Sequence, residues 1–402
     1  MIFKSILNLI GGSALVQFLQ FLLFPIVAGL FGSEIISTYG YLLSIAAISA
    51  SIVNLRIENI VMLIDKRRIN HLAYALCLIT PFMSLVAALA NEIFLLWQPK
   101  NEGNFLVLTY FLILSINASQ CLSLCMIKTN DIKKYHLHNF IRVVVAFLFP
   151  IILKPYFDNG FFLLMFFNII SGIYLGGAAI INLPKKEINI NLRKIKKFVS
   201  WMYFSYKKNF TIGIPQGFLN AISHNIPNIM FVSLFDPLSS AAFIVLDKMF
   251  RAPIGVINNS VRNIVMSVDS KSNSNEIRKI QIILIAIGVC GVLISFPIKN
   301  YIGSYLGSNW LLAAEYFPWI SIWGAGFLAN SIGSAFIAKY FDYANLFLVQ
   351  FIDTIFRVLA IYISYKFNLG FAVALISYVA ISLIFNTYVC VRGWYLYGEN
   401  RR

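Results

Sequence analysis

The residues best placed to do chemistry lie in one stretch, Ser239 to Val268. Its run AAFIVLDKMFRAPIGVINNSVRNIVM is apolar enough to span a bilayer, yet it holds Asp247, Lys248, Arg251 and Arg262. At helical spacing, Lys248, Arg251, Gly255, Asn259 and Arg262 fall within a window of roughly 80°. The ends of that stripe would stand about 21 Å apart along the helix axis. A cationic stripe on an otherwise apolar spanning helix belongs against a bundle interior or a water-filled cavity. The chemistry this predicts is recognition of an anion inside the membrane.

Six basic residues fall inside apolar runs: Arg56, Arg142, Lys248, Arg251, Arg262 and Arg357, accompanied by Glu58, Asp247 and Asp353. Each would cost at least ~2.5–3.5 kcal/mol at mid-bilayer if unpaired and facing lipid. Arg56, Arg142 and Arg262 lie about two helical turns from a span end, where a long stem can snorkel to the surface. Asp247–Arg251 and Asp353–Arg357 are i,i+4 pairs in the favourable acid-first order, so each can neutralise itself. Lys248 has only Asp247 beside it, about 100° round the helix, and so has the strongest claim on a ligand. Asp353, Asp247 and Glu58 are the candidates for a switchable charge pair or for a coupling ion, H+ or Na+.

Nothing points to bond-making chemistry. There is no P-loop, no nucleophile elbow and no His/Cys set at metal-ligand spacing, so no catalytic residue and no metal site is assigned. His71, His136 and His138 stand at span ends, where interfacial snorkelling is expected. His224 shares a polar helix face with Asn220, Asn225 and Asn228. Cys77, Cys121, Cys125, Cys290 and Cys390 all sit in apolar segments and read as packing residues.

The elements that must position these charges are set by composition. The chain has 402 residues, 59% hydrophobic and only 12% charged, with mean hydropathy +0.78. A soluble domain carries about 25% charged residues, so this is an integral membrane protein. Apolar runs place twelve spans, near 7–31, 38–64, 71–97, 104–127, 136–153, 160–182, 208–234, 239–268, 279–298, 314–338, 342–365 and 368–391. The ninth has the least certain end, since Tyr301 to Trp310 would either extend it or form an external turn.

The net charge of +16 is distributed unevenly. Loops after even-numbered spans, with both termini, hold 22 Lys and Arg; loops after odd-numbered spans hold four. That asymmetry places both termini in the cytoplasm and assigns the excess charge to topology and lipid head groups, not to nucleic acid. Between Leu183 and Lys208 an apolar face (Leu192, Ile195, Val199, Met202, Tyr206) opposes Arg193, Lys194, Lys196 and Lys197. This amphipathic helix either lies on the cytoplasmic leaflet or folds against the ends of other spans. It divides the chain into an N-lobe (1–182), a linker (183–207) and a C-lobe (208–402). We expect an all-α membrane protein, two six-helix lobes around a central cleft lined by the six basic residues.

Three stretches carry a family resemblance. In the run from Tyr206 to Met266, Pro215, Leu219–Asn220, Ser223, Pro227, Lys248 and Pro253 are similar to the seventh and eighth spans of Wzx-type polysaccharide flippases, of the MOP exporter superfamily. Leu55-Arg56-Ile57-Glu58 resembles the family's Leu-Arg-aromatic-Glu, with Ile57 departing from it. Tyr305-Leu306-Gly307 through Trp310, Ala314 and Trp319 resembles its Gly-x-x-Trp segment, with Glu315 in place of Gly. The family commonly has Arg where this chain has Lys248, which removes a bidentate fork but keeps the charge.

The resemblance implies a MATE/MOP-like fold and a non-enzymatic flippase of the bacterial inner membrane. Its substrate would be an undecaprenyl-pyrophosphate-linked oligosaccharide for O-antigen or capsule. Membrane lipids, a polysaccharide polymerase and a chain-length regulator would be its partners. Two other functions fit the composition: a MATE-like antiporter of cationic drugs, for which the positive excess is unfavourable, and a polysaccharide polymerase or ligase, for which the external loops are short.

Overall fold

A computed structural model describes residues 2–55, 57, 60–61, 64–96, 105–129, 132–183, 192–207, 209–267, 274–306, 310–340 and 342–399. Among the described residues every regular element is helical. In chain order we number them α1 (Ile2–Phe31), α2 (Ser33–Val53), α3 (Ile69–Leu96), α4 (Leu106–Asn117), α5 (Ser123–Lys128), α6 (Ile132–Val143), α7 (Phe149–Leu153) and α8 (Gly160–Ile181). Then follow α9 (Leu192–Ser205), α10 (Ile214–Leu234), α11 (Pro237–Ser267), α12 (Ser274–Leu306), α13 (Leu311–Ala329), α14 (Ser331–Lys339), α15 (Tyr343–Lys366) and α16 (Gly370–Glu399). Over its described residues, each expected span coincides with one helix or with consecutive helical segments. Nine of the described segments are long and apolar enough to cross a membrane. The ninth span extends: α12 continues past Tyr301 to Leu306.

The chain groups into two compact units, Met1–Gly40 with Ile226–Arg402, and Tyr41–Asn225. In the first unit α1 lies along α11, and Gly40 of α2 abuts the Ile244 side chain so closely that a Cβ has no room.

Within this first unit the helices break where polar side chains repair the break. The α13–α14 break at Asn330 falls inside an apolar stretch, where freed carbonyls need donors. Gln281 of α12 donates to the Ala329 carbonyl at 2.8 Å, and Asn258 of α11 donates to Phe327 at 3.4 Å. Asn330 itself donates to Asn386 of α16. Below the break, Gly333 lets α14 and α16 touch backbone to backbone; a Cβ there would stand 2.6 Å from the Cys390 Cα. The start of α15 is tied to α16 by Arg392, which donates to Asp342 from Nε and Nη2 at 3.1 Å each.

The second unit breaks α2 at Asn54–Leu55, where Leu55 adopts φ +48, a conformation side-chain-bearing residues rarely take. The Asn54 amide accepts from Cys121 and donates to Gln120 at 3.4 Å. Gln120 and Cys121 lie in a π-helical turn, Ala118–Leu122, between α4 and α5. Cys121 and Cys125 are buried in the apolar cluster of Ile60, Val61, Leu72 and Ala179.

That same cluster takes the inner face of α9. Phe198 and Met202 enter it, Phe198 lies 5.9 Å from the His71 ring, and the Arg68 guanidinium stacks 3.9 Å over Trp201. Of the two placements the amphipathic pattern allowed, the helix is folded against the end of another span, since its apolar face is consumed by protein.

Candidate functional site

Two helices of the first unit, α11 and α15, carry the mid-span charges, and α13 and α16 bring aromatic rings to them. On α11, Arg251 Nη2 lies 2.6 Å from Asp247 Oδ1. On α15, Arg357 Nη2 lies 2.5 Å from Asp353 Oδ2. Both are the i,i+4 pairs that the spacing predicts. Asp247, Asp353 and Arg357 are buried, whereas Arg251 keeps 23% of its side chain exposed.

Aromatic rings hold the two guanidinium groups. Arg251 lies 5.9 Å from the Trp323 centroid on α13, and Arg357 lies 5.4 Å from the Tyr378 centroid on α16, both within cation–π range. Tyr378 is the hub: its side chain is buried and lies within electrostatic reach of Arg357, Arg251, Asp247 and Asp353 alike. The ring also meets Phe243 edge-on at 5.8 Å, which joins the charge cluster to an aromatic layer of Phe231, Phe235 and Phe371. Neither Trp323 nor Tyr378 is marked by any spacing in the sequence. A mid-span Trp or Tyr reads as packing until a neighbouring helix presents a cation.

Lys248 is half-buried next to this cluster, within electrostatic reach of Asp247 and Arg251. With two carboxylates against Lys248, Arg251 and Arg357, the cluster holds one more basic side chain than acidic ones. Asp247 Oδ2 and Arg357 Nε have no hydrogen-bond partner among the described residues. A buried orphan of this kind costs about 1–3 kcal/mol, more when charged, so polar capacity is held in reserve here.

Of the remaining candidates, Arg142 lies in the second unit on α6, half-buried, its Nε donating to Asn139 at 2.8 Å. Arg262 is on α11, but its side chain is outside the described residues, as are Arg56 and Glu58 altogether. Of the span-end histidines, His138 is more engaged than snorkelling implies. His138 Nδ1 is 2.8 Å from the Tyr174 hydroxyl and its Nε2 is 3.4 Å from the Asn182 amide, because α6 and α8 pack together there.

No protein-family model matches the sequence, nor does any curated protein. Solved structures do resemble it. A MATE structure in complex with MaL6 superposes with TM-score 0.62 at 12% identity, over 99% of this chain and 97% of that one. An outward-facing multidrug resistance MATE family transporter of the MOP superfamily gives 0.60 at 12% identity, over 99% and 96%. The lipid II flippase MurJ, inward closed, gives 0.61 at 13% identity, over 94% and 86%. The chain is thus an all-helical membrane protein with the MATE/MOP-like fold along its full length.

Proposed function

We propose that the chain is a non-enzymatic flippase that moves undecaprenyl-pyrophosphate-linked oligosaccharide to the outer leaflet of a bacterial inner membrane. The observation that carries this reading is the surplus cation at Lys248, beside two ion pairs whose cations are already matched. A pyrophosphate is the anionic part of such a substrate, and a low-dielectric site strengthens its attraction to an ammonium group. Lys248 and Arg251 are assigned to the head group. Arg357 joins them when Asp353 releases it, which makes the Asp353–Arg357 pair the candidate for coupling to H+ or Na+. Arg56, Arg142 and Arg262 are assigned to the same transport route on sequence grounds. Similarity in fold to the lipid II flippase supports a lipid-linked substrate.

The mutational test is surface glycan in a strain that depends on this protein for export. Lys248→Ala and Arg251→Ala, each present in the membrane at wild-type level, should lower surface glycan at least tenfold. Normal export by both variants overturns the assignment.

A second reading, a MATE-like antiporter of cations, is favoured by the buried carboxylates Asp247 and Asp353 and by the fold similarity to MATE transporters. Wild-type vesicles that expel a cationic dye and move no lipid-linked glycan would establish it instead.

A further inference from the structure

Packing of α9 within the second unit consumes only one of its faces. Ile195, Phe198 and Met202 are buried, while Arg193, Lys196 and Lys197 on the outward side are exposed. The next turn exposes two aromatic side chains, Tyr203 at 44% and Phe204 at 73%. Leu192 to Lys207 contains no acid.

The helix is held against the start of an apolar segment. Trp201 lies under Arg68, one residue before α3, and Phe198 lies beside His71 in the first turn of α3. The segment Lys66–Glu92 is one of those long and apolar enough to cross a membrane, so α9 sits against the mouth of a span. Basic groups at that level lie among lipid head groups, and exposed aromatic rings beside them reach the acyl boundary.

We infer that the outward face of α9 is a preformed binding site for anionic phospholipid. Arg193, Lys196 and Lys197 would take the phosphate and Tyr203 and Phe204 the upper acyl chain. Preformation matters here, because a helix already ordered by Phe198, Met202 and Trp201 loses little further conformational freedom when lipid binds. The occupant is taken to be lipid, not an acidic protein segment, because the two aromatic side chains stand exposed beside the cations at a span mouth. The inference does not depend on what the protein transports.

The test is lipid retention by the purified full-length chain, read by native mass spectrometry during titration with phosphatidylglycerol or phosphatidylcholine. Wild type should retain phosphatidylglycerol preferentially. R193Q/K196Q/K197Q should weaken that retention about a hundredfold, the sum of three head-group interactions. K366Q, which removes a charge from the last turn of α15, should leave it unchanged. Equal retention of the two lipids by wild type, or undiminished phosphatidylglycerol in a triple variant that elutes as a folded monodisperse protein, overturns the site.

Discussion

At the scale of single residues, the separate roles of charge and pairing can be measured. Asp353→Asn strands the Arg357 guanidinium in a buried setting and should destabilise the protein by about 3–5 kcal/mol. Adding Arg357→Met to it should restore most of that loss, read as recovery of the thermal unfolding temperature in detergent. Tyr378 acts through its ring, so Tyr378→Phe should be close to neutral, whereas Tyr378→Leu should cost about 1–3 kcal/mol in lost packing and cation–π attraction. The two ion pairs were legible in the sequence because i,i+4 spacing is a local property. The rings over them were not, since Trp323 and Tyr378 meet the arginines only through helix packing. The cluster's asymmetry, with Lys248 as the unmatched cation, could be read from charge alone.

At the scale of elements, helix existence was legible from apolar run length and its details were not. The spans follow hydropathy, but breaks at Asn54 and Asn330 depend on amides arriving from other helices, which no local pattern records. Gly333→Val should separate α14 from α16 and lower stability by several kcal/mol, checked as loss of monodisperse protein in detergent extracts. The start of α11 offers a milder test outside the apolar core. Asp236 accepts from the Ser239 amide at 2.9 Å; burial raises its carboxyl pKa, but the hydrogen bonds from Ser239, from the Leu238 amide and from its own amide together outweigh that and hold it below the usual range. A depressed carboxylate stabilises the fold above its unfolded pKa, and the contribution disappears as pH falls through the folded value. Asp236→Ala should therefore cost about 1 kcal/mol at neutral pH and progressively less in acid, measured by thermal unfolding across that range. The α9 helix shows the same limit of sequence reading: its amphipathic period was plain, yet only the cluster of Ile60, Leu72 and Cys125 decides that its apolar face meets protein.

At the scale of the whole molecule, the MATE/MOP-like fold leaves the substrate open, and local charge must choose among its uses. A surplus of intramembrane cations suits a phosphate-bearing lipid; a cationic drug would meet it unfavourably. The charge asymmetry of the loops carries its own expectation, both termini on the cytoplasmic side. Tags at Met1 and Arg402 should both be shielded from an impermeant reagent in intact cells, and labelling of either would reverse that part of the account. The most direct measurement of the central claim uses the purified protein in liposomes with a fluorescent undecaprenyl-pyrophosphate-linked oligosaccharide. The fraction of probe reaching the opposite leaflet should rise with the wild type and stay at the protein-free level with Lys248→Ala. Movement by Lys248→Ala at the wild-type rate would contradict the account.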